Sequence, residues 1–219
     1  NGLMKKTTLE SYSRPRANGI IALGLREDDR LIRVTLTDGN SQMLVASYNG
    51  KVVRFPEDTV RPMGRTATGV RAIKLDEDGQ DRVIGMICVE EDSKESVLVI
   101  SEKGYGKRTD LNDENGEAIY RITNRGAKGV KTMNLTDKTG NLIGLEAVTD
   151  EQDLMLITKS GTAIRMAMDT IRIMGRATQG VKLIELQKRN DTLMFGCVVP
   201  KEEVEEAVEA TAEETTAEE

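Results

Sequence analysis

An all-β, propeller-like array of four-stranded blades is the fold this 219-residue sequence predicts, and three observations point to it. Glycines at Gly2, Gly50, Gly104 and Gly161 are each followed four residues later by a cation, namely Lys6, Arg54, Arg108 and Arg165. A second beat answers each of them, with Arg16, Arg65, Arg125 and Arg176 placed shortly before Gly19, Gly69, Gly129 and Gly180. Between the beats run short segments rich in valine, isoleucine and threonine, alternating with period two and bounded by Gly, Asp and Asn turns. A period of roughly fifty residues means one supersecondary unit repeated, each too small to bury its own core. Four short strands per unit are the signature of a blade.

The second unit sets the frame. Its turn glycine opens a strand, Gly50-Lys51-Val52-Val53-Arg54-Phe55, and a polar connection follows from Arg61 to Thr68. Gly69-Val70-Arg71-Ala72-Ile73-Lys74-Leu75 then alternates like a half-buried strand. An acidic turn leads to Val83-Ile84-Gly85-Met86-Ile87, and a charged turn to Val97-Leu98-Val99-Ile100-Ser101. The third unit repeats this with strands over residues 129–135, 142–145 and 154–158. The fourth gives 180–186 and 193–196, then stops at Pro200. Domain limits of 1–200 follow, with units starting near 2, 50, 104 and 161. Unequal spacing of the turn glycines is absorbed in the polar connections, as for insertions in surface loops. A helical solenoid is disfavoured by the β-branched composition.

Composition narrows the function. Apolar residues make up 38%, enough for a core, but aromatics only 3%. No run approaches the eighteen or so apolar residues of a membrane helix, and no leader pattern is visible, so no membrane partner is expected. The opening Asn1-Gly2 reads as a turn cut from a longer polypeptide. Cys88 and Cys197 sit in apolar runs and read as buried free thiols, which suits a reducing cytoplasm. Without histidine a thiolate–imidazole zinc site is excluded. The net charge of −6 belongs to the end of the chain: residues 201–219 hold nine glutamates and one lysine, and the rest carries about +2. That tail has little to bury, so disorder is expected, with a short helix over 202–210 as an option.

Catalytic and ligand motifs fare poorly. Gly104-Tyr105-Gly106-Lys107-Arg108-Thr109 has Ser101 where a phosphate loop needs its first glycine, and no Ser or Thr directly after the lysine. The carboxylate clusters lie in turns, without EF-hand spacing. No nucleophile stands beside a base, so the chain reads as non-catalytic, with no metal or cofactor of its own.

The recurrent cations read differently. Solvated edge charge that blocks sheet pairing explains some lysines. It does not explain why the glycine-plus-four position is basic in every unit, or why Arg71, Lys131 and Lys182 each follow a Gly-Val pair. Equivalent positions on successive blades predict one basic rim, suited to a polyanion read through its phosphates. The candidate duplex-DNA contacts are Lys5, Lys6, Arg16, Lys51, Arg54, Arg65, Arg71, Lys107, Arg108, Arg125, Lys128, Lys131, Arg165, Arg176 and Lys182. Few aromatics are present to stack on unpaired bases.

The units Gly50 to Phe55, Arg65 to Leu75, Gly104 to Thr109 and Gly175 to Val181 resemble the C-terminal domain of bacterial DNA gyrase A, over about residues 1–199. The resemblance implies a six-bladed β-pinwheel that binds and wraps duplex DNA, of which four units are visible here. It implies a cytoplasmic type II topoisomerase of A2B2 composition, in which the N-terminal domain of gyrase A and the whole of gyrase B are partners. ATP and Mg then belong to other domains, and this chain neither cuts nor supercoils DNA alone. Family members carry a Gln-Arg-Arg-Gly-Gly-Lys-Gly box in the first blade. Here the nearest match is Arg125-Gly126-Ala127-Lys128-Gly129, in a later unit, a degenerate form of that slot. Two alternatives stand beside this reading: the C-terminal domain of the corresponding subunit of topoisomerase IV, and a propeller-like protein-interaction scaffold. The acidic tail is expected to compete for the basic rim.

Overall fold

The computed structural model describes residues 1–90, 93–186 and 191–201. The acidic tail and its optional helix lie outside the described residues, apart from Lys201. The second, third and fourth units are each built from a hairpin closed by its turn glycine. Strand β1 is Leu3–Met4, directly after Gly2; β2 (Gln42–Ser47) and β3 (Lys51–Pro56) flank the turn in which the Gly50 amide donates to Ser47 O at 3.0 Å. The chain then descends through a single 3-10 turn, Glu57–Thr59, to β4 (Val70–Arg71) and returns as β5 (Val83–Val89). The third unit repeats the course with β6 (Ser96–Ser101), β7 (Tyr105–Asp110), β8 (Val130–Lys131) and β9 (Leu142–Val148). The fourth supplies β10 (Gln152–Thr158), β11 (Ala163–Ala167), β12 (Val181–Lys182) and β13 (Leu193–Pro200).

The pairing interlocks the units. The return strand of each unit lies on its own hairpin, β5 on β2, β9 on β6 and β13 on β10. The two-residue strand is lent backwards, β4 to β1, β8 to β3 and β12 to β7. Two complete four-stranded blades result, in the orders β5-β2-β3-β8 and β9-β6-β7-β12, between the partial blades β1-β4 and β13-β10-β11. The architecture is the all-β, propeller-like one that the repeats predict. Among the described residues no helix is long and apolar enough to cross a membrane.

The central strands β2 and β6 are buried at every position, and the four residues in the middle of each, 43–46 and 97–100, are all apolar. Met43 and Val45 of β2 point into the core shared with the first blade, while Leu44 and Ala46 join the core shared with the third. In β6 the same split sends Val97 and Val99 one way and Leu98 and Ile100 the other. Three apolar seams therefore separate four blades. Burying one Leu or Val side chain contributes about 1.5–3 kcal/mol, so the array is held by its seams.

Three expected strands shrink. Residues 69–75, 129–135 and 180–186 pair only at Val70–Arg71, Val130–Lys131 and Val181–Lys182. After those two residues the backbone changes partner: the Ala72 amide donates to Gly2 O at 2.8 Å, and the Lys74 amide to Ala127 O of the next unit at 2.9 Å. The alternation is real, but it sorts Ala72 and Ile73 into a seam and does not extend a ladder. In the first unit residues 31–36, the counterpart of β5, form no strand, and Val34 and Leu36 are 72% and 77% exposed.

Candidate nucleic-acid interface

The cations chosen by periodicity fall into two physical classes. One class is interior. Lys107 is 0% exposed and its Nζ donates to Gly175 O and Arg176 O, both at 2.6 Å. Burial, with repulsion from Arg176 added, pushes its ammonium down to about 8. Lys5, its counterpart in the first unit, donates to Ala22 O, Gly64 O and Arg65 O at 2.6, 3.3 and 2.5 Å. Both lysines thus tie a turn glycine's strand to the glycine–arginine turn of the unit after it.

Of the glycine-plus-four cations, expected on an outer rim, Arg54 and Arg108 take the same interior role, Lys6 is half-buried and Arg165 stays exposed. Arg54 and Arg108 are 2% and 5% exposed. Arg54 Nη1 faces Leu111 O and Tyr120 O at 3.5 Å, and Arg108 Nε donates to Ile171 O at 2.9 Å, with Nη1 on Asp150. Lys6 reaches Glu57 through its backbone O (3.2 Å) and its carboxylate (3.4 Å). Each of these residues also bridges, in parallel, the chain descending to the next glycine: Lys6 with Pro62, Arg54 with Ile122, Arg108 with Ile173. Their cation is fixed because a long donor must satisfy carbonyls along that descent. In the last unit Arg165 binds Asp153 at 2.8 Å and Pro200 O at 2.7 Å. Lys51 is paired with Asp76 at 2.5 Å, a contact that, with Asn49, lowers the Asp76 carboxyl.

The arginines of the second beat form a staple of their own. Arg65 donates to Ile21 O (3.0 Å), Arg125 to Arg71 O (3.3 Å) and Arg176 to Lys131 O (2.6 Å). In each case the acceptor lies two residues past the glycine of the preceding unit. Arg125 is exposed around this bond, whereas Arg65 and Arg176 are half-buried.

The second class faces solvent. Arg71, Lys131 and Lys182 stand exposed on β4, β8 and β12, each beside a valine that is half-buried. The turn before them is held close to the neighbouring backbone: a Cβ on Gly129, at φ +74°, would sit within 3.0 Å of Val52 O. That approach fixes where the following valine and cation emerge. Arg16 and Lys128 are also exposed. Arg16, Arg71 and Lys128 have no side-chain bond among the described residues. Lys182 meets Glu185 at 2.8 Å and Lys131 meets Asn134 at 3.4 Å, both in the open.

A third register escaped the sequence reading. Arg61, Arg121 and Arg172 lie eight residues before Gly69, Gly129 and Gly180, are exposed, and have no side-chain partner among the described residues. Each precedes the residue that bridges the buried cation. Counting back from the second glycine, not forward from the first, exposes this signal. Six cations in two registers, eight before and two after the glycine, are therefore offered to solvent by three successive units.

Such an arrangement can neutralise regularly spaced negative charge; among the described residues no group of His, Cys, Asp and Glu is placed to hold a metal.

A family model described as DNA gyrase C-terminal domain, beta-propeller, matches residues 1–38, 42–90, 95–149 and 152–195. The chain is 46% identical over 185 residues to DNA gyrase A of Staphylococcus aureus strain MRSA252, and equally so to that of strain NCTC 8325 / PS 47. Each alignment covers 84% of this chain and 20% of the relative, so the chain spans a fifth of the length of the curated relatives it matches. A crystal structure of the C-terminal domain of DNA topoisomerase IV superposes with a TM-score of 0.81 at 23% identity, over 91% of this chain and 59% of that one. A DNA gyrase A C-terminal domain gives 0.70 at 24%, over 83% and 58%. At these identities the structural likeness speaks for the fold.

Proposed function

The chain belongs to the DNA gyrase C-terminal domain, beta-propeller family, and from that membership we propose that it binds duplex DNA through its backbone and guides it around the outside of the blades. The observation that carries this reading is the pair of exposed cation registers, Arg61, Arg121 and Arg172 with Arg71, Lys131 and Lys182. Cations repeated on successive blades meet phosphates repeated along a duplex, whatever the bases. Curving a 20–30 bp segment by 40–90° costs about 1–6 kcal/mol, which several distributed contacts offset.

Within the longer protein this chain supplies binding, and DNA cleavage and ATP hydrolysis fall to other domains and to gyrase B, in the cytoplasm. The 46% identity to gyrase A supports that enzyme over topoisomerase IV as the parent. Residues 1–200 act as the binding domain, and the glutamate-rich residues 202–219 act as a competitor for its cations.

The cations bonded between units, Lys5, Lys6, Arg54, Lys107 and Arg108, serve this function indirectly, by setting the pitch from one blade to the next. Titration of a labelled 40-bp duplex at several salt concentrations tests the reading. Affinity should fall steeply and equally for unrelated sequences as salt rises; binding insensitive to salt would refute phosphate neutralisation.

A further inference from the structure

Directly after each exposed arginine of the third register stands an exposed apolar residue: Pro62 after Arg61, Ile122 after Arg121 and Ile173 after Arg172. Ile122 and Ile173 are 45% and 51% exposed. Apolar side chains scattered singly over a surface are ordinary and need no account. These three are not scattered. Each lies seven residues before the second glycine of its unit, Gly69, Gly129 or Gly180. Each also lies at a junction whose other side is in place, at Lys6, Arg54 or Arg108 of the preceding unit. The exposure is therefore not that of an open edge.

The backbone at these positions is pinned. The amide that follows each apolar residue donates to the unit before: Met63 to Lys6 O, Thr123 to Arg54 O and Met174 to Arg108 O, all at 2.8 Å. In the last case the Arg108 amide also donates to Arg172 O at 3.2 Å. The side chains are stiff as well. A proline ring fixes its own φ, and an isoleucine, branched at Cβ, is restricted at χ1. Each arginine–apolar pair is thus presented on a rigid mount, and its apolar member has little conformational entropy to lose on contact.

We propose that Pro62, Ile122 and Ile173 are wedges, one to a blade, that press between neighbouring base pairs while the preceding arginine holds a phosphate beside the step. The proposal rests on the duplex binding argued above and adds the manner of bending: discrete kinks at the blades, not one smooth curve. Apolar side chains, isoleucine and proline among them, part base steps where a protein holds the duplex against them. A protein partner is the poorer occupant. It would meet one continuous apolar patch, whereas these residues recur singly, each beside its own exposed cation, as suits a ligand that repeats along its length.

Wedging has a consequence that phosphate contacts lack. Parting a step costs least at flexible pyrimidine–purine steps such as TpA. A weak preference for such steps should therefore lie on top of phosphate binding that ignores sequence. The salt dependence is common to all duplexes, because it counts cations and not wedges.

The test uses the 219-residue chain and 40-bp duplexes with a single central TpA step in a G·C frame, or with none. Energy transfer between the duplex ends reads bending, and permanganate oxidation of the central thymine reads loss of stacking. Titrations from 50 to 300 mM salt read affinity and its slope. The unaltered chain should raise energy transfer and make the central thymine about threefold or more as reactive as in free duplex. Pro62→Ser, Ile122→Ser and Ile173→Ser together should return the thymine to its free reactivity and remove most of the bend. Affinity for the TpA duplex should fall about threefold, to that of the other duplex, with the salt slope unchanged. Should circular dichroism show the triple variant unfolded, Ile122→Ala with Ile173→Ala should still cut the reactivity by about half. A bend without a reactive thymine, or reactivity indifferent to the substitutions, would overturn wedging and leave phosphate binding standing. A flattened slope in the folded triple variant would overturn it too, by making these residues supports for the arginines. Binding of the unaltered chain that ignores salt would instead defeat the duplex-binding function, and the proposal with it.

Discussion

Replacing Arg61, Arg121 and Arg172 together by glutamine separates the two classes of cation. All three are exposed and lack side-chain partners among the described residues, so each substitution should alter stability by no more than about 0.5 kcal/mol. Each arginine that neutralises one phosphate contributes about 0.9 to the slope of log K against log salt on duplex DNA. Losing three should flatten that slope by about 2.7, and weaken binding at 0.1 M salt by roughly two orders of magnitude. Fluorescence anisotropy on one duplex, from 50 to 300 mM salt, reads both quantities. Arg108→Gln is the control from the other class. It strips the hydrogen bond to the buried carbonyl of Ile171, which should cost about 1–3 kcal/mol of stability, while the slope stays as it was. An unchanged slope in the folded triple variant would refute the assignment of this register to phosphate. A slope lowered by Arg108→Gln in a chain still fully folded would refute the interior role of the glycine-plus-four cations.

The remaining predictions concern the seams and the tail. Gly129→Ala places a methyl against the Val52 carbonyl at φ +74°; the conformation alone costs about 1–2 kcal/mol, and urea unfolding should show a total loss above that. For Lys107, whose folded value is about 8 against an ordinary 10.5, only the unfolded chain holds the proton between those values. Its contribution to stability should therefore rise with pH across that window, by about 3 kcal/mol at most, and be flat below pH 8. Comparing the chain with Lys107→Met in urea at pH 7 to 10.5 isolates it, and a difference that stays flat or falls would contradict the burial argument. Deleting residues 201–219, which hold nine glutamates, should tighten duplex binding at 50 mM salt and matter little at 300 mM; equal affinity at low salt would show that the tail does not compete.

The periodic glycines made the blades legible, because a close approach that admits no Cβ leaves the same mark in each unit. The hairpins were legible for a related reason: β2 and β6 face a seam on each side, so their apolar runs are continuous. What could not be read was where strands change partner. Gly69 to Leu75 alternates throughout, yet its amides go to Gly2 and then to Ala127, residues 70 and 53 positions away from Ala72 and Lys74. Periodicity records which face is buried and is silent about which backbone accepts. The free arginines were missed because Arg61, Arg121 and Arg172 keep register with the second glycine. The connection before Arg121 is six residues longer than those before Arg61 and Arg172, so counting from the first glycine puts it out of step with the other two.

This distinction bears on how repeated charge should be weighed in any interlocked array. A position repeated in every unit is first a position in every junction, and a junction of exposed carbonyl ends needs donors that reach across it. Lysine and arginine serve there because their stems pass through apolar packing and end in several N–H groups. Recurrence therefore favours a place in the junction for Arg54, Arg108 and Lys6, each bound to the descending chain of the next unit. Charge meant for a ligand has no partner within the fold, so it must be recognised by exposure and by the lack of an acceptor. Arg61, Arg121, Arg172 and Arg71 meet both conditions. The buried cations bond one unit to the next, and on the proposed reading those junctions decide where the exposed ones stand. A substitution inside a seam should thus disturb DNA binding only through the geometry it passes outward.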